Sequence, residues 1–367
     1  MPEILVLVFS ALFIIVFIGQ IAFSVFNNFN FSKIPKKYKS ENEYRPQVSV
    51  IIAARNEEQN LRLFLPKVLN KKYDDFEVIL VNDASTDSSK LVAEAFTKDY
   101  RNLIIINIAE SNGKKNALKK GILKAKSEYL LFIDAYCYPV SENWISSMVN
   151  AINEKDIVLG YGGFKYENTF TSKFVNYDTF QIAIQYFSAA RFGKPYMGVG
   201  RNLLYKKSVW EKVGGFESHN EILSGDDDLF ISEVANANNT STCITNEYQT
   251  MSVPVKTIKE LVRQKSRHIS TAHRYSIFAS IFTTFDIVSR SLFYLIAILL
   301  LLGGQWIFAL SLIILRILLL YLIAWDRRKT LNSKISFHYF ILFDIFAPIF
   351  YFAVVISNRF IIKAKTW

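Results

Sequence analysis

The stretch Tyr129-Leu-Leu-Phe-Ile-Asp134-Ala-Tyr136-Cys-Tyr-Pro139 decides the fold. An apolar, β-rich run over residues 129–133 ends directly in a carboxylate, Asp134. A buried parallel strand is a continuous apolar run, and it ends in this way when its last residue has to hold a cation or a diphosphate. Upstream the same grammar repeats. Apolar, β-branched runs at 48–53, 76–81 and 103–108 alternate with helical spacing at 57–69, 88–96 and 116–125. In the first helix the apolar positions are Leu61, Phe64, Leu65, Val68 and Leu69. Strand–helix alternation of this kind predicts βαβ units and a mainly parallel sheet flanked by helices, an α/β fold. Ligands on such sheets bind beyond the carboxyl ends of the strands. The polar residues Arg55-Asn56-Glu57, Asn82-Asp83 and Asp134 fall at those ends.

Outside this region the composition changes. The chain has 367 residues, 51% of them hydrophobic, and a mean hydropathy of +0.19. The apolar excess lies at the two ends. Residues 4–26 are interrupted only by Ser10, Gln20 and Ser24, long enough to cross a hydrocarbon layer of roughly 30 Å. The basic residues Lys33, Lys36, Lys37 and Lys39 follow this run instead of preceding it, and no small-residue cleavage site is present. An anchor fits better than a cleaved signal peptide. Further apolar segments occupy residues 278–302, 306–325 and 337–356. A third crossing after the soluble region would leave Arg359, Lys363 and Lys365 on the far side, against the positive-inside tendency. The last segment, broken by Asp344 and Pro348, therefore reads as spanning or re-entrant. Asp286, Arg290 and Asp344 within these segments mark either an acceptor path or an interface position.

The expected organisation is an N-terminal transmembrane helix at 1–26, a basic linker at 27–46, a cytoplasmic domain at 47–275 and a C-terminal membrane region at 276–367 with two to three transmembrane or re-entrant helices. The net charge of +11 is concentrated beside the apolar segments. This fits a multi-pass protein of the inner (plasma) membrane in contact with anionic membrane lipids. Nucleic acid ranks lowest among the partners and none is expected, since the basic residues cluster beside the apolar segments and no nucleic-acid module is recognisable. Two cysteines, Cys137 and Cys243, imply no disulfide framework.

Four motifs occur in order at strand ends or helix starts: Val50-Ile-Ile-Ala-Ala54-Arg55-Asn-Glu57-Glu, Val81-Asn-Asp83-Ala-Ser-Thr-Asp, Gly113-Lys114-Lys-Asn-Ala-Leu and Ile133-Asp134-Ala. Three follow: Gly200-Arg-Asn-Leu with a later Gly-Gly-Phe, Leu223-Ser-Gly-Asp226-Asp227-Asp228-Leu, and Gln264-Lys-Ser-Arg267-His268. Over residues 46–268 the chain resembles a family 2 glycosyltransferase with the GT-A nucleotide-diphospho-sugar fold.

That resemblance implies nucleotide-binding roles for Ala54, Arg55, Glu57, Asp83, Lys114 and Asp134. Asp83 can accept from the imide N–H of uracil, or with Ser85 it caps the next helix. Glu57 holds a ribose hydroxyl or occupies a helix first turn. Lys114 neutralises the diphosphate with the helix N-terminus, or belongs to a solvated basic face. Asp134 is the expected ligand for Mg²⁺ or Mn²⁺. The family has a second carboxylate two residues on, where this chain has Tyr136, a neutral phenol. Either other ligands complete the metal shell, or basic groups such as Lys114 and Arg267 carry more of the phosphate charge, or the protein is inactive.

In the acidic motif one carboxylate takes the acceptor proton. Counting back from Leu229 selects Asp226, and counting forward from Gly225 selects Asp227. Gln264, Arg267 and His268 are expected at the diphosphate and acceptor. His268 stands where processive relatives carry a Trp. The aromatic run at 170–192 lines an acceptor cleft or is core. The expected activity is that of an inverting glycosyltransferase moving a sugar from a nucleotide-diphospho-sugar, with UDP favoured, to a lipid-linked or glycan acceptor. A processive polysaccharide synthase and an inactive nucleotide-sugar-binding scaffold are the alternatives.

Overall fold

The computed structural model describes residues 2–38, 45–222 and 224–360. Lys39, Leu223, Lys363 and Lys365, named above, lie outside the described residues. After α1 (Glu3–Ser32) come β1 (Val48–Ala54), α2 (Glu58–Leu69), β2 (Phe76–Asp83), α3 (Ser89–Phe96), β3 (Leu103–Ile108), α4 (Lys114–Lys124) and β4 (Tyr129–Phe132). Then follow β5 (Cys137–Pro139), α5 (Trp144–Asn150), β6 (Ile157–Gly160), β7 (Gly162–Phe164), α6 (Phe170–Arg191), β8 (Leu203–Lys206), α7 (Lys207–Lys212), α8 (Asp228–Val234), β9 (Thr240–Cys243), β10 (Thr250–Ser252) and α9 (Ile258–Thr271). Three long helices complete the described residues: α10 (Ile277–Leu302), α11 (Trp306–Thr330) and α12 (Phe337–Phe360).

Seven strands form one sheet in the order β3-β2-β1-β4-β8-β6-β9. The neighbours β3, β2, β1 and β4 are parallel, β8 runs antiparallel to β4 and β6, and β6 and β9 are again parallel. A small second sheet joins β5, β10 and β7. Every residue of β1 is buried, as expected of a strand covered on both faces. β2 and β3 lie to one side of β1 and β4 to the other. The carboxyl ends of β1 and β4 are therefore a topological switch point, where the sheet opens a crevice. Arg55 and Asp134 stand at its lips. Gly121 lets α4 lie flat on the sheet. A Cβ there would come within 2.9 Å of Ile51 Cγ2 and 3.2 Å of Val81 Cγ2.

Among the described residues four helices, 3–32, 277–302, 306–330 and 337–358, are long and apolar enough to cross a membrane. The outer faces of α1, α10, α11 and α12 carry exposed Ile, Leu, Phe and Trp. α1 runs six residues beyond the apolar stretch into the expected linker. Its polar end is buried, with Asn27 and Asn30 nearly inaccessible and the Ser188 hydroxyl of α6 donating to the Asn27 carbonyl at 2.7 Å. α12 continues as one helix across Pro348. Among the intramembrane charges, Asp344 is fully buried and paired with Arg316, 2.5 Å away, and with Arg290. Arg290 also binds Asp286 at 2.8 Å. A buried charge with such partners is costly to leave alone, so these pairs hold α10, α11 and α12 in fixed register.

Candidate active site

α2 begins at Glu58 because Glu57 occupies its N-cap and Asn56 adopts φ 56°. Asn56 ties the end of β1 to the loop after β2. Its N–H donates to Ser85 Oγ at 3.0 Å, and its Oδ1 accepts from the Thr86 N–H at 2.7 Å. Ala84, directly after Asp83, also has positive φ, 51°. Two non-glycine residues in this sparsely populated region flank the crevice, the kind of backbone strain that persists where surrounding contacts over-determine it.

Asp83 is fully buried at the end of β2. It does not cap α3. Its Oδ2 accepts from Ser111 Oγ at 2.5 Å, and Ser111 in turn accepts from Arg55 at 3.0 Å. Ser111 therefore links two of the expected nucleotide residues, and nothing in its sequence context announced it. Glu57 is half-buried beside the same crevice. Burial raises its carboxyl above the usual range, a bond from Asn60 works against this, and the charges of Asp134 and Asp87 add to it.

The centre of the site is an ion cluster. α4 starts after Gly113, whose φ of 89° a side chain rarely adopts. That turn aims Lys114 across the crevice, so it does not join the solvated face of Lys119 and Lys120. Its ammonium lies 2.9 Å from Asp134 Oδ1 and 2.9 Å from Asp226 Oδ2. Burial alone would lower the Lys114 pKa, but Asp134 and Asp226 outweigh it and hold the ammonium charged. Burial likewise pushes Asp134 up, and Lys114 with the Tyr136 hydroxyl more than reverses this. Tyr136 donates to Asp134 Oδ2 at 2.9 Å. Burial and the Asp134 charge keep its phenol far above its ordinary value, hence neutral and a donor. The residue in the place of the second carboxylate thus supports the first.

Among the described residues no group of three or more His, Cys, Asp or Glu side chains is arranged to hold a metal ion. The donor set is one strand-end carboxylate, Asp134, already facing a positive charge. It fits a hard cation that takes one protein carboxylate and draws its other oxygens from phosphate and water, the habit of Mg²⁺.

The three acidic residues do different things. Asp226 faces Lys114. Asp227 is the N-cap of α8, accepting from the Gly200 N–H at 2.6 Å and from the Asp228 N–H at 2.8 Å. Asp228 accepts from Thr271 at 2.6 Å and Tyr275 at 2.7 Å, which binds the acidic loop to the end of α9. Gly225 has φ 100° and would drive a Cβ into Leu229, so the turn before α8 requires glycine.

α9 begins with a capping box, Thr257 and Glu260, which fixes its start. Gln264, Arg267 and His268 line a cleft of about 610 Å³ together with Lys114, Asp134, Tyr136 and Asp226. Ser224 donates to the Arg267 carbonyl at 3.1 Å. His268 is open to the cleft. The surrounding protein and the cations Lys265, Arg267, Arg201 and Lys114 hold its imidazole well below the usual value, hence neutral. Arg201, inside the Gly200-Arg-Asn-Leu motif, also lines the cleft, a role its sequence context did not single out. Its Nε donates to the Gly162 carbonyl at 2.8 Å and its guanidinium lies over Phe164 at 4.8 Å. From the ion cluster the cleft passes along α6, through Tyr177, Gln181 and Tyr186, to Val288 of α10 and Tyr351 and Val355 of α12. Ala54, Arg55, Glu57 and Asp83 lie on the other side of the cluster, outside this cleft.

Residues 49–214 match the family described as Glycosyl transferase family 2. Among curated relatives, glycosyltransferase AglE of Haloferax volcanii is 32% identical over 186 residues, covering 50% of this chain and 59% of AglE. The Bacillus subtilis protein described as putative glycosyltransferase EpsH is 30% identical over 176 residues, covering 45% of this chain and 48% of that one. The chain spans about half the length of the curated relatives it matches. Among solved structures, the mannosyltransferase PcManGT from Pyrobaculum calidifontis, in complex with GDP-Man and Mn²⁺, superposes with a TM-score of 0.65 at 15% identity, over 97% of this chain and 99% of that one. That likeness establishes the GT-A fold.

Proposed function

We propose that the chain is an inverting glycosyltransferase of family 2, whose model residues 49–214 match and whose curated relatives it resembles over about half of its length. In this reading it moves a sugar from a nucleotide-diphospho-sugar to a lipid-linked or glycan acceptor at the membrane face of its soluble domain. The single observation that carries the reading is the Lys114–Asp134–Asp226 cluster. It lies at the β1–β4 switch point, with expected nucleotide residues on one side and the acceptor cleft on the other.

Asp226 is the base. It is the one carboxylate of the three that faces the cluster and is not spent on backbone or α9 contacts. Asp134, steadied by Tyr136, is the residue that would hold Mg²⁺ or Mn²⁺, which when bound with the donor lowers the charge on the departing nucleoside diphosphate. Lys114, at the start of α4, and Arg267 and Arg201, in the cleft, supply fixed positive charge for phosphate oxygens. Asp83 reads the base, with UDP favoured, provided Ser111 yields Oδ2 to the imide N–H. His268, neutral, serves the acceptor side as a hydrogen-bonding group. The cleft's course to α10 and α12 favours an acceptor anchored in the membrane. Lys33, Lys36 and Lys37 after α1, and Arg327, Arg328 and Lys329 at the end of α11, favour the cytoplasmic face of the inner membrane.

Asp226→Asn is expected to abolish transfer, by at least about a hundredfold, while nucleotide still binds. Chelation of divalent ions is expected to stop transfer in the wild type. Wild-type turnover by Asp226→Asn would remove the base assignment, and full activity in chelator would remove the metal.

A further inference from the structure

Both oxygens of Asp134 have donors before any ligand arrives. Lys114 is 2.9 Å from Oδ1 and the Tyr136 hydroxyl is 2.9 Å from Oδ2. The same ammonium is 2.9 Å from Asp226. The side chains of Lys114, Asp134 and Asp226 are only 19%, 12% and 8% exposed, so water screens the cluster weakly. A divalent ion placed on Asp134 Oδ1 would meet the ammonium at a few ångströms, where like charges repel strongly. A diphosphate arriving at the start of α4 offers Lys114 a better partner, since phosphate oxygens form strong charge-assisted bonds and the helix N-terminus attracts the same anion. The neighbouring Lys115 makes a separate tie from α4 to the carbonyl of His219, in the loop that leads to the acidic motif. That tie holds the loop in place while Lys114 is free to leave.

We propose that Lys114 exchanges partners. In the donor-free protein it neutralises Asp134 and Asp226. When a nucleoside diphosphate binds, its ammonium passes to the phosphates, which uncovers Asp134 for the divalent ion and Asp226 for the acceptor proton. Lys114 is then the residue that couples the two ligands, and the coupling is reciprocal. This deepens the donor reading above and rests on it.

The exchange predicts two changes of opposite sign in one variant. In full-length protein in detergent, Lys114→Met is expected to bind Mn²⁺ alone about tenfold tighter than wild type, followed by the electron paramagnetic resonance of free Mn²⁺. The same variant is expected to bind metal-free UDP or GDP about fivefold more weakly by calorimetry. Lys114→Gln, which keeps a donor and loses the charge, should move both affinities in the same directions. Lys119→Met, on the solvated face of α4, should leave both within about twofold. A lysine with a merely structural role would weaken both ligands together, and that result would overturn the exchange. So would nucleotide binding that weakens with no gain for Mn²⁺, which would leave the donor reading standing. Wild-type protein that binds neither UDP nor GDP, with or without Mn²⁺, would remove the donor reading and the exchange with it.

Discussion

Asp226, Asp227 and Asp228 are adjacent in sequence and unlike in chemistry. Three neighbouring carboxylates repel one another, and the fold relieves this by giving each a different set of donors: an ammonium, two backbone N–H groups, and two hydroxyls. Asp227 is relieved least. Burial, then the charges of Asp226 and Asp228, push its carboxyl from 3.8 up to about 7. The folded protein therefore holds a proton that the unfolded chain releases, and stability contributed by this residue falls as pH rises from about 4 through about 7. Asp227→Asn removes that proton. The melting temperature of the variant relative to wild type is expected to rise with pH between 5 and 7 and then level off. A difference that stays flat or slopes the other way would contradict the assignment. The motif's acidity was plain in the sequence, but the division of labour was not. It depends on Lys114, on Gly200 and on the pair Thr271 and Tyr275, which come from three distant parts of the chain.

At the level of elements, the close approach of α4 to the sheet is what delivers Lys114 to the crevice. Gly121→Val would press two methyls onto Ile51 and Val81, where a Cβ alone already comes within 2.9 Å and 3.2 Å. The expected cost is about 1–3 kcal/mol, read as a lower denaturation midpoint, with transfer reduced because the start of α4 shifts. An unchanged midpoint would show that the helix has room to move. The strands β1 to β4 were legible because continuous apolar runs leave few other readings. α4 was read two residues late, since its first turn is Lys-Lys-Asn and carries no apolar periodicity until Ala117 and Leu118. The second sheet was illegible. Its strands have three residues each, too short for a pattern, and tertiary pairing alone defines them. The end of α1 was misjudged because the apolar run stops before the helix does, where Asn27 and Asn30 turn inward to the protein.

The whole molecule is a GT-A domain seated on four helices long and apolar enough to cross a membrane. α1 ends at the domain, α10 leaves it, α11 returns and α12 leaves again, turning at Gly303 and Gly304 on the far side. The returning end is fastened: Arg327 donates to Asn28 at 2.7 Å and Gln249 donates to the Thr330 carbonyl at 2.9 Å. Aromatic packing of Phe174 against Phe343, Phe346 and Phe350 joins α6 to α12. The aromatic run of α6 is thus both core and cleft wall, two readings that the sequence posed as alternatives. The motifs pointed to the carboxylates, but only the arrangement of α6, α10 and α12 shows one cleft that runs from Asp226 to the long apolar helices.

The central claim is that this passage joins a nucleotide-sugar site to a membrane-anchored acceptor. Detergent-purified protein incubated with UDP- and GDP-sugars, Mn²⁺ and a lipid extract tests it, with sugar transfer into lipid as the readout. The account predicts transfer from one donor, lost in Asp226→Asn and Asp134→Ala. In Val355→Trp, which fills the far end of the cleft, transfer should fall about tenfold while nucleotide binding persists. Nucleotide-sugar binding without transfer to lipid or to any soluble glycan would contradict the catalytic reading, and transfer that ignores Val355→Trp would contradict the route.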